Sequence, residues 1–148
     1  MATLQNQLKK AKKLTYQNQS KLLFQIVKQI QKDILQLNKD QLSKGRDINN
    51  RTVGFYSYAT QAITKGRKKA GTPFTAQDTG AFFRGFYLEV FEDGFRLFSK
   101  DPKTYLILDS EHWDSDELFG LTDKDLKGVI ELKLLPFFIK NNREYLGI

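Results

Sequence analysis

The sequence predicts an α+β protein in which a long N-terminal helix and a C-terminal helix pack on a small antiparallel β-sheet. Apolar residues recur at helical spacing near both ends of the chain, and a strand–turn–strand pattern lies between them at about residues 83–99. The 148 residues, 40% of them hydrophobic, are enough for one domain with a core, which we assign to residues 21–148.

The first helix is predicted over residues 4–42, where Lys and Gln fill the face opposite an apolar stripe. That stripe comprises Leu23, Ile26, Val27, Ile30, Ile34 and Leu37. Residues 1–20 are more polar, and we interpret them as a separate first helix, a continuation of the main helix or a mobile basic arm. Ser20 is a candidate N-cap, and Lys44-Gly45 predicts a helix stop with Gly45 in the left-handed conformation.

The middle of the chain alternates turn signals with one short helix. Residues 45–57 are rich in Gly, Asp and Asn, which favour turns. A helix is predicted over Tyr58–Lys69 with Ala59, Ala62 and Ile63 on its apolar side. Gly71 and Pro73 then predict a loop over residues 70–76.

The hairpin is predicted from alternating aromatic and aliphatic residues on both sides of a glycine turn. The strands are expected at Phe83–Phe91 and Phe95–Ser99, with Gly94 free to take a positive φ between them. Both faces of the first strand carry aromatic rings, so we expect neither face to be fully solvated.

The last third of the chain predicts an acidic loop and a closing helix. Residues 105–108 form a short apolar run whose secondary structure the sequence leaves open, and residues 109–117 are acidic. Thr122 and Asp125 have the spacing of a capping box at a helix start. Pro136 is expected to kink or split that helix. The predicted apolar stripe of the helix comprises Leu126, Val129, Ile130, Leu134, Phe137 and Phe138.

The net charge of +7 is divided unequally along the chain. Residues 1–76 carry 15 basic and 3 acidic side chains, whereas residues 77–148 carry 9 basic and 14 acidic ones. A basic half can bind nucleic acid, and it can also bind the acidic half of another copy head-to-tail. The composition leaves both partners open.

The residue types needed for catalysis do not form a recognisable pattern. His112 is the single histidine, and no serine lies in a nucleophile elbow that could use it. The acidic run from Asp109 to Glu117 lacks the ligand spacing and central glycine of an EF-hand loop. The chain has no cysteine. We therefore expect no enzyme activity, no cofactor and no metal.

No targeting or membrane signal is recognisable either. The first residues lack the apolar segment of a signal peptide, and no apolar run approaches the roughly 20 residues that cross a membrane. We expect a protein made in the cytoplasm that has no membrane partner.

A basic cluster near aromatic residues is the candidate basic surface, consisting of Lys65, Arg67, Lys68 and Lys69. With Phe55, Tyr56 and Tyr58 nearby, it suits phosphate contacts and base stacking. It matches no nucleic-acid-binding fingerprint, so a solvated helix end remains the alternative interpretation.

The order of several short motifs resembles one protein family. The motifs are Gln36–Leu42, Gly45–Asp47, Gly54–Thr60, Lys69–Pro73, Asp78–Gly80, Ser99–Lys103, Phe119–Thr122 and Leu135–Ile139. Over about residues 30–145 this order resembles small virion proteins of tailed bacteriophages, and more loosely the tail-completion (neck) family. Pro73 and Asp78-Thr79-Gly80 occupy the place of that family's Pro-x-x-Thr-Gly-like segment, with a longer gap between them.

The resemblance implies a structural virion protein at the neck or tail, made in the host cytoplasm. Such a protein joins the head connector to the tail tube as a ring of about six copies, contacts neighbouring connector and tail proteins, and lies near packaged DNA. The acidic loop departs from the family pattern. We interpret it as a candidate interface, with Trp113 as an anchor for a partner's pocket. The candidate interface residues are Trp113, Asp114, Asp116, Glu117 and Phe119.

Overall fold

The computed structural model describes residues 3–75, 80–110 and 114–148 and confirms an α+β fold, with helices at both ends and a two-stranded antiparallel sheet between them. In chain order the elements are α1 (Leu4–Ala11), α2 (Tyr16–Gln29), α3 (Gln31–Ser43), α4 (Tyr58–Ile63), α5 (Ala81–Arg84), β1 (Phe86–Val90), β2 (Phe95–Ser99), α6 (Lys103–Ser110), α7 (Ser115–Leu118), α8 (Asp123–Val129), a π-helical turn (Ile130–Leu134) and α9 (Leu135–Leu146).

The predicted N-terminal helix is divided into three helices. The first break follows Ala11, and α2 begins because the Thr15 hydroxyl accepts a hydrogen bond from the Asn18 backbone N–H at 3.2 Å. The expectation that Ser20 caps a helix is therefore wrong, since Ser20 lies inside α2. The second break is at Ile30, which has φ −98° and ψ 11°. The apolar stripe continues through that break, with Ile26, Val27, Ile30 and Ile34 all buried.

Helix α3 ends as the sequence predicts. Gly45 takes φ +71°, the Gly45 N–H donates to the Leu42 carbonyl, and the Arg46 N–H donates to the Gln41 carbonyl. These two bonds form a Schellman motif, which satisfies carbonyl groups at the end of the helix. A Cβ at position 45 would lie 3.0 Å from the Phe74 carbonyl oxygen, so the close approach of residues 73–74 also depends on this glycine.

Residues 45–75 form a turn-rich segment that contains α4. Helix α4 ends at Ile63 rather than at Lys69, because Lys65 and Gly66 both take positive φ values. Ala59, Ala62 and Ile63 are exposed rather than packed, so the predicted apolar side of this helix is wrong. The buried side instead carries Thr64, whose hydroxyl bonds back to the Thr60 carbonyl at 2.8 Å.

The hairpin has the predicted second strand and a shorter first strand. Phe86 pairs with Ser99 and Val90 with Phe95 in antiparallel register. Residues 81–84, which we predicted to be extended or turning into the strand, form α5 instead. Its Phe82 carbonyl accepts a hydrogen bond from the Ser99 hydroxyl at 2.7 Å. Gly94 does not adopt a positive φ.

The core joins the aliphatic stripe of α2 and α3 to a cluster of phenylalanine rings at the hairpin. Phe119 lies 4.9 Å from Phe98, 5.5 Å from Phe86 and 5.9 Å from Phe82, measured between ring centroids. The other hairpin face is partly covered, since Tyr105 packs on Phe98 at 5.8 Å. As expected, neither face of the hairpin is fully solvated.

The closing helix contains the predicted irregularity. The Thr122 hydroxyl accepts from the Asp125 N–H at 3.2 Å and starts α8. A π-helical turn over Ile130–Leu134 precedes α9, and Pro136 follows within the first turn of α9. The wider π turn places the proline where an interrupted hydrogen-bond ladder is tolerated.

The two ends of the chain pack together. Gln19 of α2 and Asn142 of α9 exchange two side-chain hydrogen bonds of 3.0 and 2.9 Å. The Lys133 ammonium group contacts the Asp33 carboxylate and joins the π turn to α3. Helix α1 has no buried residue, and it lies near α9 with the Lys10 ammonium 5.7 Å from the Tyr145 ring centroid.

Candidate interaction surfaces

The basic surface comprises side chains of one short segment around the end of α4: Tyr58, Ile63, Lys65, Arg67, Lys68 and Lys69, all exposed except the half-buried Lys68. Tyr58 and Ile63 are 84% and 82% exposed, so the segment presents apolar area together with positive charge. The Ser57 hydroxyl caps α4 by accepting from the Thr60 N–H at 3.1 Å, which fixes the start of the segment.

The end of α4 holds a lysine in a strained position. Lys65 has φ +52°, its N–H donates to Ala62, and the next N–H, from Gly66, donates to Gln61. This is the bond pattern that ends α3, but a lysine occupies the left-handed position that Gly45 occupies there. The following residues are held by the Gln61 side-chain oxygen, which accepts from the Ala70 N–H at 2.8 Å.

Tyr56 supports the basic surface from below. Its ring is buried, and its hydroxyl accepts a hydrogen bond from the Thr75 N–H at 3.2 Å. The Lys68 ammonium group lies 5.3 Å from the ring centroid, within the range of a cation–π contact. The structure thus brings the predicted basic residues together on an ordered aromatic support.

The acidic surface comprises Tyr105, Asp109, Asp114, Asp116 and Glu117, whose side chains are all exposed. Tyr105 and Asp109 are one turn apart on α6, and the other three carboxylates belong to the start of α7. The Asp114 carboxylate caps α7 by accepting from the Asp116 N–H at 2.9 Å. Helices α6 and α7 flank the same ring, because Tyr105 and Phe119 both pack on Phe98.

Two of the predicted interface residues, Trp113 and Phe119, cannot be assigned to the acidic surface. Trp113 lies outside the described residues, as do His112 and the Asp78-Thr79 part of the motif before α5. Phe119 belongs to the phenylalanine core, with 7% of its surface exposed, so its ring does not take part in the acidic surface. The sequence did not predict this burial, because Phe119 closely follows an acidic run. Its contacts with Phe82, Phe86 and Phe98 join residues that are distant along the chain.

The sequence analysis missed an exposed apolar stripe on the closing helix. Leu132, Leu135 and Ile139 are 77%, 44% and 51% exposed, although their spacing places them on one helical face. In the sequence, Leu132, Leu135 and Ile139 form a second set of apolar residues at helical spacing, beside the predicted apolar stripe. We assigned the apolar residues of this helix to a single buried face, of which Val129 and Leu134 are the buried members.

Grooves lie between several elements, and the described residues contain no evident metal site. An apolar groove of about 450 Å³ lies between α2 and the end of β1, beside Phe24 and Phe91. A charged groove of about 600 Å³ lies between the end of α3 and the start of α8, with Asp40, Lys44 and Asp123 on its walls. Within residues 3–75, 80–110 and 114–148, no cluster of His, Cys, Asp and Glu has the grouping that a metal ion requires. Over the same ranges, no helix is long and apolar enough to cross a membrane.

Comparison of the chain with protein-family models, with curated proteins and with solved structures finds no match in any of the three. A functional interpretation therefore depends on the exposed surfaces and on the order of the sequence motifs.

Proposed function

We propose that this chain is a non-catalytic structural component of a tailed-phage virion, located at the neck or tail. In this role it acts as a tail-completion or head–tail connector subunit, in a ring of about six copies that contacts neighbouring connector and tail proteins. It carries no cofactor in this role, and packaged DNA passes close to it.

The observation that carries the proposal is the amount of apolar surface left exposed on several elements. Tyr58 and Ile63 on α4, Tyr105 on α6 and Leu132 in the π turn are each at least 69% exposed. Leu132 continues into the apolar stripe of α9, so part of this area is contiguous. Exposed apolar area of this kind is typical of protein–protein contacts. A subunit inside an assembly needs several such contacts, since it touches more than one neighbour.

The order of elements gives separate support. N-terminal helices, a small antiparallel hairpin and a closing helix follow one another as the resemblance to the neck family implies. Gly80, the described residue of the Asp78-Thr79-Gly80 motif, takes φ +78° at the entry to α5 and the hairpin. In the resemblance this motif leads into the first strand, and in this chain the short helix α5 lies between Gly80 and β1.

A second candidate function is nucleic-acid binding by the basic surface. Lysine side chains beside an exposed Tyr58 provide phosphate contacts and a ring for base stacking. Such binding depends on counterion release and falls steeply as salt increases. The two functions therefore predict different behaviour in solution.

The test is the mass of the purified chain in solution, alone and with double-stranded DNA, at low and at moderate salt. We expect a monomer or a closed oligomer whose mass does not change with DNA at moderate salt. A salt-steep DNA complex without self-association would overturn the proposal in favour of the nucleic-acid function. Mass spectrometry of tailed particles purified from cells that produce the chain tests the location, and its absence from such particles would exclude a virion role.

A further inference from the structure

We infer that the basic surface of one copy binds the acidic surface of the next copy, so that copies of this chain join head-to-tail. The inference rests on the proposed function, and it adds the identity of the two surfaces that form the subunit contact. Each surface combines charged side chains with apolar area, and the two surfaces have opposite charge. They are built on different parts of the fold.

The basic surface has the composition of an interface centre with a charged rim. Ile63 and Tyr58 provide apolar area at the surface of α4, and Lys65 and Lys69 lie beside them. Single-stranded nucleic acid is held mainly by cationic side chains and aromatic rings, so it would use the lysines and the Tyr58 ring more than the aliphatic area of Ile63. A protein surface uses all of these groups, because interfaces combine an apolar centre with a polar rim.

The acidic surface provides the complementary groups. Tyr105 is 69% exposed and supplies a ring, while Asp109 on the same helix and Asp114, Asp116 and Glu117 at the start of α7 supply negative charge. Opposite charges across an interface accelerate association and fix the relative orientation of the partners. The chain therefore carries a partner of suitable charge and shape chemistry for its own basic surface.

The two surfaces do not neutralise each other within one copy. In the described parts of the chain, no ion pair joins Lys65 or Lys69 to the acidic surface, and the ion pairs lie in the hairpin, within helices or between α3 and the π turn. Two different patches that fit one another form a heterologous contact, which closes into a ring or continues as a filament. The charges of Lys65 and Lys69 thus remain available to neighbouring copies.

Cross-linking provides a direct test because the natural chain has no cysteine. Ile63→Cys and Glu117→Cys are prepared as separate variants, mixed, and treated with a flexible bis-maleimide. We expect a dimer joined between positions 63 and 117, with a yield at least tenfold above that of the matched mixture of Lys12→Cys and Glu117→Cys. A chain that carries both Ile63→Cys and Glu117→Cys should give a ladder of higher oligomers.

A yield equal to the Lys12→Cys control would overturn the inference. If the chain still self-associates in that case, only the assignment of these two surfaces fails, and the proposed structural function stands. If the chain neither self-associates nor occurs in purified particles, the proposed function fails together with the inference. Capture of double-stranded DNA by the basic surface at moderate salt, without a 63–117 cross-link, would assign that surface to nucleic acid instead.

Discussion

Asn38 is the residue that most directly joins the helices to the second half of the chain. Its side chain is fully buried on α3, and its amide nitrogen donates to the carbonyls of Leu118 and Gly120 at 2.9 and 2.7 Å. These carbonyls flank Phe119, so the same contacts position the central ring of the core. A buried carbonyl that loses its donor costs more free energy than an exposed one, because water cannot replace the donor.

We predict that Asn38→Ala lowers the free energy of unfolding by about 2 kcal/mol, because one buried and one partly buried carbonyl lose their donor. The measurement is the midpoint and slope of urea unfolding. Asn141→Ala is the matched control, since that amide donates to a helical carbonyl at an exposed site, and its midpoint should barely change. Equal midpoints for Asn38→Ala and the natural chain would contradict the structural role assigned to Asn38.

Lys65 offers a residue-scale test of stability against function. Its φ of +52° is a conformation that glycine adopts with less strain. We predict that Lys65→Gly raises the free energy of unfolding by about 0.5–1 kcal/mol and yet weakens head-to-tail association. Lys69→Gly, at a residue without a positive φ, should weaken association without the gain in stability. A Lys65→Gly chain that associates as strongly as the natural chain would remove Lys65 from the interface.

At the scale of elements, local signals in the sequence identify helix ends more reliably than helix interiors. Gly45 and Thr122 were recognised from one or two residues, because a Schellman motif and a capping box are local structures. The break at residues 12–15 agrees with one of the open alternatives, a separate first helix, but its position was not predicted, and the break at Ile30 was missed. Lys12 and Lys13 are compatible with a helix, and the apolar stripe runs through Ile30 without a change of period.

The first strand and α5 illustrate the limit set by long-range contacts. The run from Phe82 to Phe91 is mostly aromatic and aliphatic, and Gly85 alone did not indicate that the residues before it form a helical turn. The separation depends on Ser99, whose hydroxyl bonds to the Phe82 carbonyl, and on Gly85, where a Cβ would lie 2.7 Å from that hydroxyl. The candidate surfaces follow the same rule. Charge placed the acidic and basic residues correctly at the exterior, whereas the burial of Phe119 and the exposure of Ile63 required the fold.

The contribution of a helix cap to the global free energy of unfolding should depend on which residues its helix buries. Thr3 and Thr122 make the same N-cap hydrogen bond, at 3.3 and 3.2 Å, but α1 buries nothing and α8 leads into Val129 and Leu134. We predict that Thr122→Ala lowers the global free energy of unfolding by about 1 kcal/mol, whereas Thr3→Ala leaves it unchanged. Urea unfolding measures the first effect, and amide exchange in residues 4–11 should detect local fraying in the second. A similar global loss for both variants would mean that α1 is part of the cooperative unit.

At the scale of the whole molecule, the unequal division of charge along the chain corresponds to two separate charged surfaces. Residues 1–76 contribute the basic surface around α4, and residues 77–148 contribute the acidic surface on α6 and α7. A chain with this arrangement repels other copies in most orientations and attracts them in one. Specificity by charge pattern is therefore available without a large apolar interface.

Reversing two charges on either surface should therefore weaken the contact between copies. The double variant Lys65→Glu with Lys69→Glu brings the four side-chain charges of the basic surface from +4 to 0, and Asp116→Lys with Glu117→Lys brings those of the acidic surface from −4 to 0. Each variant alone should associate at least tenfold more weakly than the natural chain, a loss of about 1.4 kcal/mol per contact. An equimolar mixture should recover association, because the unchanged acidic surface of the first variant can bind the unchanged basic surface of the second. Light scattering or mass photometry of the three samples measures the recovery. The double variant Lys12→Glu with Lys13→Glu is the matched control for net charge, and it should associate normally. A mixture that stays as weakly associated as its components would mean that these two surfaces do not meet.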